Sequence, residues 1–250
     1  MSPRLAFAID AAYKGGRSTL ALFQAGAHVM TKSDQTPVTL ADQGAERLIR
    51  ELIAETYPGE HILGEEEGGA TGEKSRWVID PIDGTKSFIS GVPLYSTLVS
   101  YEDHGEVDVA VCYFPALDEM LYAERGQGAF FNGRPARVST RDTVKGSVIC
   151  CGGLRSMQTA GRWEPFSRIV DRALATRTWS DAYGHALVAT GRVEAMLDPV
   201  VAHWDISAVS LLVREAGGRF TDFAGCDKMA LDGISSNGCV HQEILDEFNP

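Results

Sequence analysis

Between Thr39 and Tyr57 the segment TLADQGAERLIRELIAETY sets Ala45, Leu48, Ile49, Leu52 and Ile53 at i, i+3, i+4, i+7 and i+8. That spacing makes one face of a helix apolar. Thr39-x-x-Asp42 opens it in the pattern of a capping box, and Pro58 ends it. The preceding TKSDQTPVT is polar and contains Pro37, so it is expected to be a loop. A further helix is expected over residues 4–24, weakened by Gly15 and Gly16.

The period then changes. Tyr95–Tyr101, Val107–Tyr113 and Met120–Ala123 are apolar or β-branched and are separated by the turn-like EDHGE and PALDE. Asn132-Gly133 in FNGRP carries a hairpin signal, so an antiparallel meander is predicted. After residue 140, strands and helices alternate: strand in GSVICC, helix over 162–175, strand in ATRTW, helix over 182–190, strand in EAMLD, helix over 205–216. The last helix has Ile206, Val209, Val213 and Ala216 on one face, with Gly217-Gly218 to close its end. Two sheets with helices around them predict an α/β (α+β) layered sandwich. Its expected halves are residues 1–138, with the antiparallel sheet, and 139–250, with the alternating pattern.

Bulk properties narrow the chemistry. A chain of 250 residues is long enough for one large domain or two packed halves. No run approaches the roughly 18 apolar residues of a membrane span, and Asp10 interrupts the amino terminus, so a cytoplasmic location is expected. The five cysteines include no C-x-x-C and predict buried, reduced thiols. A net charge of −11 opposes binding to nucleic acid or anionic lipid. An acidic protein that handles an anionic substrate needs a cation as intermediary.

Two acidic clusters follow short apolar runs: Glu65, Glu66 and Glu67 in HILGEEEGG, and Asp80 and Asp83 in RWVIDPIDG. Crowded carboxylates raise one another's pKa unless a cation lies between them. Oxygen ligands favour Mg²⁺, Mn²⁺ or Ca²⁺, although the EF-hand pattern is absent. Each cluster also has a structural explanation, a solvated glutamate loop in one case and an Asp-Pro, Asp-Gly turn in the other. Gly84, Thr85 and Lys86 tip the balance, because they open a short predicted helix whose free amides could cradle a phosphate beside the acids.

The segments IDPIDGT at 79–85, Gly64-Glu65-Glu66 and HWDISAVSLLVREAGG at 203–218 resemble the inositol monophosphatase family of metal-dependent phosphatases, in its order and spacing and across essentially the whole chain. The resemblance implies an αβαβα sandwich and two or three Mg²⁺ ions, with Mn²⁺ as a possible substitute. Glu65, Asp80 and the carbonyl of Ile82 would hold one ion, and Asp80, Asp83 and Asp205 another. Glu66 would support the cluster, and Gly84 and Thr85 would bind phosphate through their amides. Asp42 with the Thr85 hydroxyl would orient the attacking water; the capping role of Asp42 is an equal explanation for that residue. A homodimer is also implied.

The implied substrate is a small phosphate monoester. RTWSDAYGHALVATGRVEAMLDP at 177–199 resembles the histidinol-phosphate phosphatase branch of the family, as does the loop from Asp34 to Asp42. Trp179, Asp181, Tyr183 and Asp198 become candidate substrate contacts, and Asp181 would suit the ammonium and imidazole of histidinol. Core packing is the alternative for Trp179, Tyr183 and His185, and simple solvation the alternative for Lys32. The rival functions are an inositol-1-phosphatase, a broad-specificity sugar phosphatase and a non-catalytic binding or regulatory protein.

Overall fold

Ser2 caps the first helix, α1 (Pro3–Thr19), by accepting a hydrogen bond from the Leu5 amide at 3.1 Å. The helix stops five residues short of the expected end, in a series of turns through residues 20–24. Gly15 and Gly16 do more than weaken it. A Cβ on Gly15 would lie 2.6 Å from Ile49 Cδ1, and one on Gly16 would lie 2.7 Å from Tyr113 Cδ1, so both glycines let α1 seat closely on its neighbours.

The computed structural model describes residues 1–25, 29–31, 37–69, 71–179 and 181–249; Lys32 and Asp34 lie outside them. The segment expected as a loop carries strand at both ends, where β1 (Val29–Thr31) pairs antiparallel with β2 (Pro37–Thr39). Thr39 then caps α2 (Leu40–Thr56), whose buried positions include Asp42 and Glu46 as well as Ala45, Ile49 and Ile53.

The next elements are β3 (His61–Gly64), β4 (Gly68–Gly69), β5 (Arg76–Asp83) and α3 (Thr85–Ile89). The meander follows as β6 (Ser96–Asp103), β7 (Glu106–Phe114), β8 (Glu119–Glu124), β9 (Ala129–Phe131) and β10 (Arg134–Pro135). Asn132 and Gly133, with φ of 49° and 78°, supply the left-handed turn between β9 and β10. These strands form an eight-stranded sheet in the order β10-β9-β8-β7-β6-β5-β3-β4, antiparallel except where β3 meets β5.

The remainder comprises β11 (Val148–Cys151), α4 (Leu154–Thr159), α5 (Trp163–Arg172), β12 (Ala175–Arg177), α6 (Asp181–Ala189), β13 (Ala195–Asp198), α7 (His203–Glu215), β14 (Arg219–Thr221), β15 (Gly233–Ser236) and α8 (His241–Phe248). The second sheet runs β12-β11-β13-β15-β14 and mixes parallel and antiparallel pairs. Sequence periodicity did not reveal α4, β14, β15 or α8, which are short and lack a sustained repeat.

Side-chain alternation along the strands builds the layers. On β7, Val109, Val111 and Tyr113 pack with α1 and α2, whereas Ala110, Cys112 and Phe114 pack with α6 and α7. On β13, Met196 faces α6 and α7, while Ala195 and Leu197 face α5 and α8. The result is the αβαβα sandwich. Because α7 lies between two sheets, every residue from Ile206 to Val213 is buried, a wider apolar face than the single stripe expected. Its end is a Schellman closure: Gly218 N–H bonds Val213 O and Gly217 N–H bonds Arg214 O, each at 2.9 Å. All five cysteines are free, but Cys226 and Cys239 are exposed, contrary to the expectation of burial.

The tight seat of α1 sets a first prediction. Gly16→Ala gains about 1 kcal/mol of helix propensity but forces a methyl against Tyr113 and Pro115. Overpacking of about 1–3 kcal/mol should outweigh that gain. Urea denaturation followed by circular dichroism is expected to show a net loss of stability; an unchanged midpoint would mean that α1 shifts freely.

Candidate active site

Asp80 and Asp83 are three apart, and on a regular strand they would face opposite sides of the sheet. The register prevents this. Asp80 pairs with Leu98 and Asp83 with Ser96, so β5 spends an extra residue across the Pro81-Ile82 step and bulges. Pro81 has no amide to lose there, and its carbonyl accepts the Thr97 hydroxyl at 2.8 Å. Both carboxylates are thereby turned to one side.

The third carboxylate comes from the first turn of α7. Asp205 Oδ2 accepts the Ala202 amide at 2.7 Å, which fixes its rotamer. One oxygen from each of Asp80, Asp83 and Asp205 lies within 4.8 Å of the others. Asp83 Oδ2 is held by the Ala182 amide at 2.7 Å and the Ser96 hydroxyl at 3.2 Å. Asp80 Oδ1, in contrast, is buried and has no hydrogen-bond partner among the described residues.

Electrostatics explain why such a cluster demands a cation. Burial pushes the Asp80 carboxyl well above its ordinary range, and Glu65, Asp83 and Asp205 add to that push. Burial, Asp181 and Asp205 do the same to Asp83. Asp205 is raised to about 7, mainly by burial, against the opposing bond from the Ala202 amide. Acceptor-only groups in mutual contact need a proton or a metal between them. The all-oxygen donor set, with an orphaned Asp80 oxygen, fits a hard divalent cation.

Glu65, Asp80, Ile82, Asp83, Gly84, Thr85, Asp181 and Asp205 all line one cleft of about 160 Å³. Glu65 stands in the turn after β3, its amide bonded to Ile79 O at 3.2 Å. Asp42 is fully buried and makes both contacts expected of it. Its Oδ2 accepts the Thr39 amide and hydroxyl at 2.7 and 2.6 Å, and its Oδ1 faces the Thr85 hydroxyl at 3.4 Å. Gly84, at φ 84°, caps α3. A Cβ there would meet Asp181 Oδ2 at 2.9 Å, so the glycine gives that carboxylate its approach. Asp181 itself holds a left-handed φ of 60°, a conformation costly for a residue with a Cβ.

Asp198 lines a small adjoining cavity together with Asp83, Asp181, His185 and Asp205. Four candidates, Asp42, Glu66, Trp179 and Tyr183, line neither space. Tyr183 packs edge-on against Phe114, ring centroids 5.1 Å apart, because its position on α6 faces the core. Trp179 is 39% exposed, with the Arg177 guanidinium 6.0 Å from its ring. A larger cavity of about 630 Å³, between β7 and α7 and lined by Val107, Arg125, Arg214 and Met229, contains no member of the acidic cluster.

Several supporting residues escape sequence inspection. Glu46 is fully buried and accepts the amides of Glu66 and Glu67 at 2.7 and 3.0 Å, as well as Arg50 Nε at 2.8 Å. It fixes the turn that presents Glu65 and Glu66. The signal available was an acid on the buried stripe of α2, one turn beyond Asp42. Farther along, Glu102 on β6 accepts Arg76 Nε at 3.0 Å, lies 2.6 Å from His203 Nε2 and accepts the Ser207 hydroxyl at 2.8 Å. This cluster ties the start of α7, and hence Asp205, to β5 and β6. Burial would raise the Glu102 pKa, but the contacts with His203, Ser207 and Arg76 outweigh it and hold the group below its ordinary value. Nothing in the sequence announces a contact between residues so far apart.

The inositol monophosphatase family profile matches residues 1–249. A histidinol-phosphatase of Chlorobaculum parvum is 39% identical over 250 residues, covering 98% of this chain and 96% of that protein. A Nus factor SuhB of Pasteurella multocida is 35% identical, over 100% of this chain and 97% of its own length. Among solved structures, the IMPase of Thermotoga maritima superposes with a TM-score of 0.91 at 35% identity, covering 99% of this chain and 97% of that one.

The raised carboxyls predict a pH dependence. Asp205 has an ordinary value of 3.8 and a folded value of about 7, so the folded state holds more protons between them. The Asp205 contribution to stability should therefore be lost as pH rises from 3.8 to about 7, and the raised Asp80 and Asp83 carboxyls act in the same direction. In EDTA the melting temperature is expected to be higher at pH 5 than at pH 8, by about 5 °C or more. Saturating Mg²⁺ should flatten that slope, because the cation takes the place of the protons. A flat profile in EDTA would mean that the cluster is not strained without metal.

Proposed function

Because the chain belongs to the inositol monophosphatase family of metal-dependent phosphatases, we propose that it is a Mg²⁺-dependent phosphomonoesterase acting on L-histidinol phosphate. The observation that carries the phosphatase reading is the buried convergence of Asp80, Asp83 and Asp205, with an unpartnered Asp80 oxygen, next to Thr85 and Asp42.

In this reading Glu65, Asp80, the Ile82 carbonyl, Asp83 and Asp205 hold two or three Mg²⁺ ions, with Mn²⁺ able to substitute. The bound cations supply a lowered pKa for a nucleophilic water and charge to neutralise the leaving alkoxide. The protein's own groups do the rest. The Gly84 and Thr85 amides orient the phosphoryl oxygens. Asp42 and the Thr85 hydroxyl share a hydrogen bond that aims the attacking water, while the contacts of Asp42 with Thr39 keep its carboxylate from swinging away. Glu66 lends negative charge next to the cluster, its backbone anchored on Glu46. No phosphorylated side chain is required.

The choice of ester rests on other grounds. A histidinol-phosphatase shares 39% of its residues with this chain, and Trp179-x-Asp181-x-Tyr183 matches that branch. Asp181 and Asp198 add carboxylates to the cleft and to the cavity beside it, and they suit a cationic alcohol better than a neutral polyol. Trp179 is assigned to covering the bound ester from its exposed position, and Tyr183 to shaping α6. The homodimer and the cytoplasmic setting rest on the resemblance and on the absence of a membrane-crossing helix among the described residues. The net charge of −11 favours a small-molecule partner over nucleic acid.

Phosphate release from L-histidinol phosphate and from myo-inositol 1-phosphate, each with Mg²⁺ and with EDTA, tests the reading. Preference for the first ester, abolished by EDTA, is expected. Preference for the second would retain the metal chemistry and overturn the substrate. No release from either would favour a binding role, in line with the relative named Nus factor SuhB. Asp83→Asn should lower kcat by ~100-fold or more without unfolding the protein, since the amide oxygen can still accept from Ala182. Near-normal turnover would remove Asp83 from the metal site.

A further inference from the structure

Two residues one turn apart on α7, His203 and Ser207, reach the same oxygen of β6: His203 Nε2 lies 2.6 Å and Ser207 Oγ 2.8 Å from Glu102 Oε1. A carboxylate only accepts hydrogen bonds, so the proton of each contact lies on the α7 side. Ser207 Oγ, whose one proton is thereby placed, accepts from Ser100 Oγ at 2.8 Å. Glu102 is 2% exposed, and its other oxygen takes Arg76 Nε at 3.0 Å from β5, the strand that ends in Asp80 and Asp83. One buried carboxylate thus joins the helix that carries the third metal-ligand candidate to the strand that carries the other two.

Asp205 stands between His203 and Ser207 in sequence, ~200° around the helix from either. Its place in the cluster therefore depends on how α7 is rotated about its own axis. A carboxylate about 5 Å from a helix axis moves about 0.9 Å for each 10° of rotation, whereas metal–ligand distances tolerate about 0.2 Å. The Ala202 amide fixes the Asp205 rotamer at 2.7 Å, so the side chain cannot swing back to compensate without breaking that bond.

Apolar packing does not set such an angle. Every residue from Ile206 to Val213 is buried, but burial is non-directional and rewards any rotation that keeps the space filled. Hydrogen bonds to a charged acceptor are directional and short, and two of them spaced one turn apart fix rotation as well as position. Stability alone does not account for the charge at Glu102, because well-packed apolar side chains in place of a buried ionic cluster are often as stable or more so.

We propose that Glu102 is a positioning residue for metal binding: by accepting from His203 and Ser207 while anchored on Arg76, it sets the rotation of α7 and with it the affinity of Asp80, Asp83 and Asp205 for a divalent cation. This deepens the metal-dependent reading and rests on it.

The test titrates the full chain with Mg²⁺ in the absence of substrate, by isothermal titration calorimetry, and measures the melting temperature in EDTA alongside. Glu102→Gln keeps the volume, but its NH₂ must face either Arg76 or the α7 pair, donor against donor. The Kd for Mg²⁺ is expected to rise by about tenfold or more, and the Mg²⁺ concentration that half-saturates phosphate release should rise by the same factor, with kcat at saturating Mg²⁺ near the wild-type value. Ser207→Ala removes one of the two α7 contacts and should raise Kd by a smaller factor; it decides the matter if Glu102→Gln does not fold. Glu194→Gln is the control for general loosening, since Glu194 is also buried and accepts the Val148 amide at 2.7 Å and the Ser139 hydroxyl at 3.2 Å, outside the acidic cluster. It should lower the melting temperature and leave Kd unchanged. An unchanged Kd in folded Glu102→Gln and Ser207→Ala, or an equal rise in Glu194→Gln, would overturn the positioning role. Wild type that binds no Mg²⁺ would overturn the metal reading and the positioning role together. Mg²⁺ binding with the expected ranking of variants, but no phosphate release from any ester, would overturn the phosphatase reading and uphold the role of Glu102.

Discussion

Mutual repulsion among buried carboxylates is the constraint from which the rest of this structure follows. Asp80, Asp83 and Asp205 reach the same few ångströms from two elements distant in sequence. Burial alone disfavours their charge, and proximity disfavours it further. A protein gains nothing in stability from such an arrangement. Its value lies in the affinity for a cation that it stores, and the surrounding fold must hold the groups together against their own field.

Several devices do so, each using a backbone group or a charge from outside the cluster. The bulge at Pro81-Ile82 turns two aspartates to the same side of β5. Backbone amides of Ala182 and Ala202 then lock Asp83 and Asp205. Glu46 secures the turn that carries Glu65, and the contacts among Arg76, Glu102 and His203 fasten the start of α7 to the sheet. Sheets and helices fixed by large apolar interfaces supply the stiffness. The strained φ of Asp181 is tolerated in that frame because Asp83 engages the amide of the next residue.

Two chemically different groupings adjoin the cluster. Toward α2, Asp42 and Thr85 form a neutral-to-anionic hydrogen-bonded pair suited to orienting water. Toward α6, Asp181 and Asp198 add further carboxyl groups. A cation held among the clustered carboxylates would reconcile a strongly acidic chain with the phosphate chemistry of its family.

Much of this was legible in the order of residues because the physics concerned is local. The apolar stripe of α2, the meander, the Asn132-Gly133 turn and the Asp80-Pro-Ile-Asp83-Gly segment depend on neighbours a few positions away. The charge of the chain and the oxygen-rich candidate ligands are likewise properties of composition. Register and long-range pairing are not local. The bulge that aligns Asp80 with Asp83, the burial of Glu46 on the stripe of α2 and the bare His185 nitrogen opposite Asp198 all arise from which surfaces meet. Tyr183 illustrates the difference: the resemblance left substrate contact and core packing open for it, and the fold sets its ring against Phe114. The sequence by itself determined which groups could bind a cation and a phosphate, since donor type and spacing are written along the chain. Only the tertiary structure decided which of them share a cavity, because burial and approach depend on packing between segments far apart.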